Sequence, residues 1–125
     1  MTGAAGGLSG GLWAEFRAEL MPGADYVLGA LEFNRRLERT EAVIVGEGCL
    51  DRQSFGGKIV GRIAARCRPS RTPVYGIVGS NRLSAAEVAE LGLASVRVAS
   101  SRVEIVAAAR ELCTHLSRES SAFVG

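Results

Sequence analysis

Glu47, Asp51, Gln53 and Lys58 fall within one stretch, GEGCLDRQSFGGK at Gly46–Lys58, which mixes carboxylates, an amide, an ammonium and several glycines. Glu47 and Asp51 follow a short apolar run directly. Carboxylates placed there can hold Mg²⁺ or accept a proton from a substrate hydroxyl. Lys58 comes after Gly56 and Gly57 at the entrance of a predicted helix, where an ammonium beside exposed backbone N–H groups is a natural phosphate contact. The grouping suits phosphoryl transfer, in which positioning and charge neutralisation supply most of the catalysis. It also reads as a solvated turn with a helix-capping carboxylate, and the residue types alone leave both readings open.

Familiar phosphate-binding patterns do not account for this stretch. A Walker A loop needs glycine at position 52 and Ser or Thr at position 59, where the chain has Arg52 and Ile59. Gly46 and Gly48 begin a G-x-G-x-x-G pattern, but Asp51 stands at its last position. A second glycine-rich stretch, Gly3–Gly11, can either wrap a phosphate with its backbone amides or serve as a terminus or close-packing helix. The single histidine, His115, has no acidic or thiol partner at ligand spacing, and no CxxC pair accompanies Cys49, Cys67 and Cys113. A zinc site is thereby excluded, and the cysteines read as buried or half-buried free thiols in a reducing cytosol. No G-x-S-x-G elbow is present. Trp13 and Phe16 read as core anchors, and Arg35, Arg36 and Arg39, interleaved with Glu38 and Glu41, as a solvated face.

The elements that position these residues follow from periodicity. Leu12, Trp13, Phe16 and Leu20 recur at helical spacing, and Pro22 opens a second helix through Tyr26, Val27, Leu28 and Leu31. Ala42–Val45 reads as a strand buried on both faces and ended by Gly46, with Gly46–Lys58 as a loop and Ile59–Cys67 as a helix. Pro73–Gly79 is a second strand. Ser84 and Glu87 form a capping box for a helix that stops at Gly92. Ala94–Ala99 is a third strand and Arg102–Glu119 a closing helix. Alternating strands and helices imply right-handed βαβ crossovers. The expected fold is an open, mostly parallel, three-layer Rossmann-like α/β domain with about three strands and flanking helices. In such folds ligands sit beyond the carboxyl ends of the strands, where Gly46–Lys58 falls.

Composition sets the outer bounds. The chain has 125 residues, 47% hydrophobic and 22% charged, which suits one domain and excludes a wholly disordered chain. A net charge of +2 gives no electrostatic case for nucleic acid or an acidic membrane. The N-terminus lacks the basic region of a signal peptide, and no apolar run approaches the length of a membrane span, so the expected location is cytoplasmic. Lys58 is the only lysine among 15 cationic residues, and Asp25 and Asp51 are the only aspartates.

Four blocks, GAAGGLSGGL at Gly3–Leu12, PGADYVL at Pro22–Leu28, VIVGEGCLDRQSFGGKIVGRIA at Val43–Ala64 and PVYGIVG at Pro73–Gly79, together resemble the C-terminal part of type I glycerate kinases. The resemblance implies an ATP-dependent, Mg²⁺-requiring enzyme that phosphorylates D-glycerate. It matches the family block at Glu47, Asp51 and Lys58, which fixes their positions; it is their chemistry that makes them the candidate catalytic residues, with Glu47 and Asp51 also toward the metal. Gly3, Ala4, Ala5, Gly6, Gly7, Gly46, Gly48, Gln53 and Gly57 fall at matching cofactor-binding positions. Val45, Cys49 and Val60 depart from the usual Thr, Arg and Pro. Family members are longer and have two domains, so residues 1–125 correspond to the closing portion of one of them, an incomplete domain on this reading. The expectation is little or no kinase activity from the chain alone, with self-association or pairing with a separate N-terminal half; the rival is a non-catalytic α/β module.

Overall fold

The computed structural model describes residues 3–122, with side-chain surroundings through Arg118. The chain divides into two compact units, Met1–Asn34 and Arg35–Gly125.

In the first unit, a 3₁₀ turn at Ala4–Gly7 leads into α1 (Leu8–Phe16), and α2 (Gly23–Ala30) follows with Pro22 as its N-cap. Ala5, Gly6 and Gly7 all have positive φ, so the glycine-rich entrance is a left-handed turn before α1 begins. α1 ends earlier than the apolar spacing predicts. Arg17 adopts a left-handed conformation and its N–H bonds to the Leu12 carbonyl, which closes the helix before Leu20. Trp13 and Phe16 are 57% and 74% exposed, so they are not core anchors. Leu28 is the buried side chain among the described residues of this unit.

After α3 (Phe33–Leu37), the second unit builds a parallel sheet in the order β1 (Val43–Leu50), β2 (Val74–Asn81), β3 (Ser95–Val98). α4 (Ile59–Cys67) joins the first pair and α5 (Ala85–Leu91) the second. Right-handed crossovers between neighbouring strands place both helices on one face, and α4 and α5 touch. α6 (Arg102–Ala122) packs against β2 on the other face, where Tyr75, Ile77, Ala99, Ala108 and Leu112 form one buried cluster. This is the expected incomplete Rossmann-like α/β architecture.

β1 departs from its sequence reading in two ways. It runs on through Gly46, Glu47 and Gly48 to Leu50, because β2 continues alongside it in register, pairing Glu47 with Val78 and Leu50 with Asn81. Gly79 makes that possible: a Cβ there would stand 2.6 Å from the Gly48 carbonyl oxygen. The strand is also less buried than predicted: Val45 on the α4 side is buried, whereas on the opposite face Ile44 is 44% exposed, Gly46 and Gly48 are exposed, and burial returns only at Leu50.

The helix punctuation matches the sequence. Ser84 Oγ accepts from the Glu87 N–H at 3.3 Å, Glu87 Oε2 accepts from the Ser84 N–H at 2.9 Å, and Gly92 closes α5 in a left-handed conformation. Bonds from the Ser84 backbone and hydroxyl, with the Arg52 guanidinium, hold the Glu87 carboxyl below its usual range. All three cysteines are free thiols. Cys67 is buried and its thiol pKa is pushed up by burial, Cys49 is half-buried, and Cys113 is exposed, contrary to expectation.

Candidate functional site

The site forms where β1 ends and α4 begins. Strand alternation puts Val45 and Glu47 on the face that α4 covers. Asp51 then leaves the strand in an extended conformation and caps a 3₁₀ turn at Arg52–Gly56. Its Oδ1 accepts from the Gln53 N–H at 2.9 Å, while its own N–H donates to the Ser54 hydroxyl at 3.4 Å. Ser54 is fully buried beneath the turn. Gly57, at φ 102°, supplies the left-handed residue that turns the chain into Lys58, the N-cap of α4.

These turns bring three charged side chains together. Lys58 Nζ lies 3.4 Å from Glu47 Oε1 and 3.6 Å from Asp51 Oδ1. The Lys58 side chain is 36% exposed and the Glu47 side chain 18%, so the cluster is partly open to solvent. Desolvation pulls the Lys58 pKa down. Bonding to Glu47 and the charges of Asp51 and Glu47 outweigh it, and the net value lies above the ordinary 10.5.

Glu47 Oε2 is buried and has no hydrogen-bond partner. A buried carboxylate oxygen left without a donor is costly, and it is the kind of oxygen a hard cation takes. Among the described residues no group of three or more His, Cys, Asp and Glu side chains is placed to hold a metal ion. Two carboxylates are the complement Mg²⁺ commonly takes from protein when phosphate oxygens and water complete its shell, so Glu47 and Asp51 fit that ion.

The remaining predicted residues divide by location. Gly46 and Gly48 lie on the exposed face of β1 rather than in a loop, and the Gln53 side chain is exposed. Gly3, Ala4, Ala5, Gly6 and Gly7 belong to the first compact unit, separate from the unit that holds Lys58. Sequence reasoning missed Ser54 and Gly61. The D-x-x-S spacing of a capping box marked Ser54. Nothing local marked Gly61, where a Cβ would collide with the Ser54 carbonyl oxygen. A salt bridge from Arg52 Nη2 to Glu87 Oε1 at 2.8 Å ties the turn to α5.

Comparison with known proteins now bears on this geometry. The model of the glycerate kinase family matches residues 1–124. The chain belongs to the glycerate kinase family. It is 44% identical over 78 residues to a glycerate kinase of Neisseria meningitidis serogroup B, a match covering 62% of this chain and 21% of that one. It is 40% identical over 78 residues to glycerate 2-kinase of Escherichia coli K12, with 62% and 20% covered. A solved structure carrying the name glycerate kinase 2, from Salmonella typhimurium LT2, superposes with a TM-score of 0.64 at 29% identity, covering 96% of this chain and 33% of that one. These matches thus span about a fifth of the curated glycerate kinases and a third of the solved one. Among the described residues no helix is long and apolar enough to cross a membrane.

Proposed function

We propose that this chain provides the Lys58–Glu47–Asp51 part of a kinase centre that phosphorylates D-glycerate with ATP, in the cytoplasm. One observation carries the reading: an ammonium at the start of a helix sits between two carboxylates, one of which keeps a buried oxygen without a partner. In the reaction a glycerate hydroxyl oxygen bonds to the γ-phosphorus, the bond to ADP breaks, and the hydroxyl proton leaves toward the carboxylate pair. Lys58 neutralises phosphate charge as a compact point charge. Glu47, through Oε2, and Asp51 would hold Mg²⁺, which when bound neutralises phosphate oxygens. The α4 N-terminus adds backbone N–H groups facing the same space.

The chain alone is expected to turn over little, because its known relatives are several times longer. The test is ADP release with D-glycerate from the 125-residue chain, alone and mixed with the Neisseria meningitidis glycerate kinase lacking the segment that matches it. The mixture should be active and the Lys58→Met mixture at least about a hundredfold slower, as expected on losing a principal transition-state charge contact. Turnover by the chain alone removes the claim that it supplies only part of the centre. An inert mixture that nonetheless forms a complex removes the kinase reading.

A further inference from the structure

Two of the three charged groups at the site depend on one short turn. Asp51 caps the Arg52–Gly56 turn and Lys58 follows it, so their 3.6 Å separation is set by how that turn folds and where it is seated. The Asp51 Oδ1 atom that faces Lys58 also accepts from the Gln53 N–H at 2.9 Å, which ties the carboxylate to the turn. Ser54 stands at the middle of this turn, and among the described residues it is the one fully buried polar side chain. A hydroxyl enclosed in this way is costly unless it is hydrogen-bonded. The Ser54 hydroxyl accepts from the Asp51 N–H at 3.4 Å, and the Ser54 N–H donates to the Asp51 carbonyl at 2.9 Å. The Ser54 carbonyl in turn rests against Gly61, where a Cβ would collide with it. Gly61 belongs to α4, whose N-cap is Lys58. Ser54 therefore joins Asp51 through its hydroxyl and the helix of Lys58 through its carbonyl. The same turn has a second brace, the Arg52–Glu87 ion pair, but the Arg52 side chain is 87% exposed. A pair so open to water is screened and holds little.

We infer that Ser54 is a positioning residue for phosphoryl transfer, its buried hydroxyl and seated carbonyl holding the Asp51 carboxylate and the Lys58 ammonium at their working separation. Wholly enclosed, it touches neither substrate nor the reacting atoms. Without the hydroxyl, the Asp51 N–H loses its acceptor and the carboxylate moves off the ammonium, which keeps Glu47 alone. The inference rests on the proposed kinase reading for what the separation serves, and the experiment separates the two.

Lys58 is the only lysine of the chain, so its ε-methylene group can be labelled selectively with ¹³C and read by NMR without overlap. In the native chain the two ε protons should be inequivalent, held between Glu47 and Asp51. Ser54→Ala should keep the native circular dichroism while this signal collapses toward that of a freely rotating lysine. Ser54→Thr keeps the hydroxyl and should keep the native signal. In the mixture with the truncated Neisseria meningitidis glycerate kinase, Ser54→Ala should lower kcat between about tenfold and about a hundredfold and leave KM for D-glycerate in place, as expected when catalytic charges are misplaced by up to about an ångström. Ser54→Thr should restore kcat. If Ser54→Ala does not fold, Ser54→Cys, which keeps the volume but accepts hydrogen bonds only weakly, carries the same expectation. The proposal is overturned by a folded Ser54→Ala or Ser54→Cys with the native Lys58 signal, or by a collapsed signal with native turnover. Ser54→Thr behaving like Ser54→Ala also overturns it, because the hydroxyl is then not what holds the site. A native mixture that forms a complex but transfers no phosphate removes the kinase reading, and the Lys58 signal alone then decides whether Ser54 sets the separation.

Discussion

Lys58 is held by two carboxylates that reach it from different elements, Glu47 from the strand and Asp51 from the turn that follows. A compact ammonium meets both at once; the planar fork of an arginine is shaped for one carboxylate. This gives a physical reason for a lysine at that position in a chain whose other cations are arginines. Because the fold raises the Lys58 pKa, the folded state binds that proton more tightly than the unfolded chain. Its contribution to stability is therefore complete below the ordinary lysine value of 10.5 and fades as pH rises through the raised value. Urea unfolding of the native chain and of Lys58→Met, compared from pH 9 to pH 12, should show the native chain losing stability more steeply at the alkaline end. Parallel curves would mean that the ion pairs contribute nothing to the fold. The three charged residues were legible because each type carries its chemistry in its name. Their mutual distances were not, since Glu47 was read as part of a loop and proved to sit on a strand.

Two glycines without notable sequence signatures hold the elements around the site at their observed spacing. Gly61 lets the first turn of α4 lie against the Ser54 carbonyl, and Gly79 lets β2 run beside Gly48. Gly61→Ala and Gly79→Ala each force backbone apart, and each should cost about 1–3 kcal/mol, the usual range for overpacking. Gly48→Ala is the control on the same sheet. Its Cβ would enter open space, and its effect should stay within about 0.5 kcal/mol. Equal losses at all three positions would show that close approach is not what these glycines provide. At this scale the sequence read α4, α5 and their caps well, because Ser84, Glu87 and Gly92 are local signals. The strand end was misplaced because a G-x-G pair locally resembles a turn. Only pairing to β2 across a long sequence separation shows otherwise.

Across the molecule the decisive feature is the unequal covering of the sheet. Periodicity predicted a strand buried on both faces, and composition could not correct it: four apolar residues in a row look the same whether or not a helix arrives to cover them. What covers each face is a tertiary fact: α6 packs its buried cluster on β2, and Ile44 of β1 stays exposed. The same strand should therefore contain residues of very different energetic weight. Leu50, at the end of the strand, is wholly buried, and Leu50→Ala should cost about 2–5 kcal/mol. Ile44 lies on the bare side, and Ile44→Thr in the isolated chain should change stability by no more than about 0.5 kcal/mol. Chemical denaturation of both variants measures the contrast directly. A loss at Ile44 approaching that at Leu50 would mean that this face is already packed in the isolated chain.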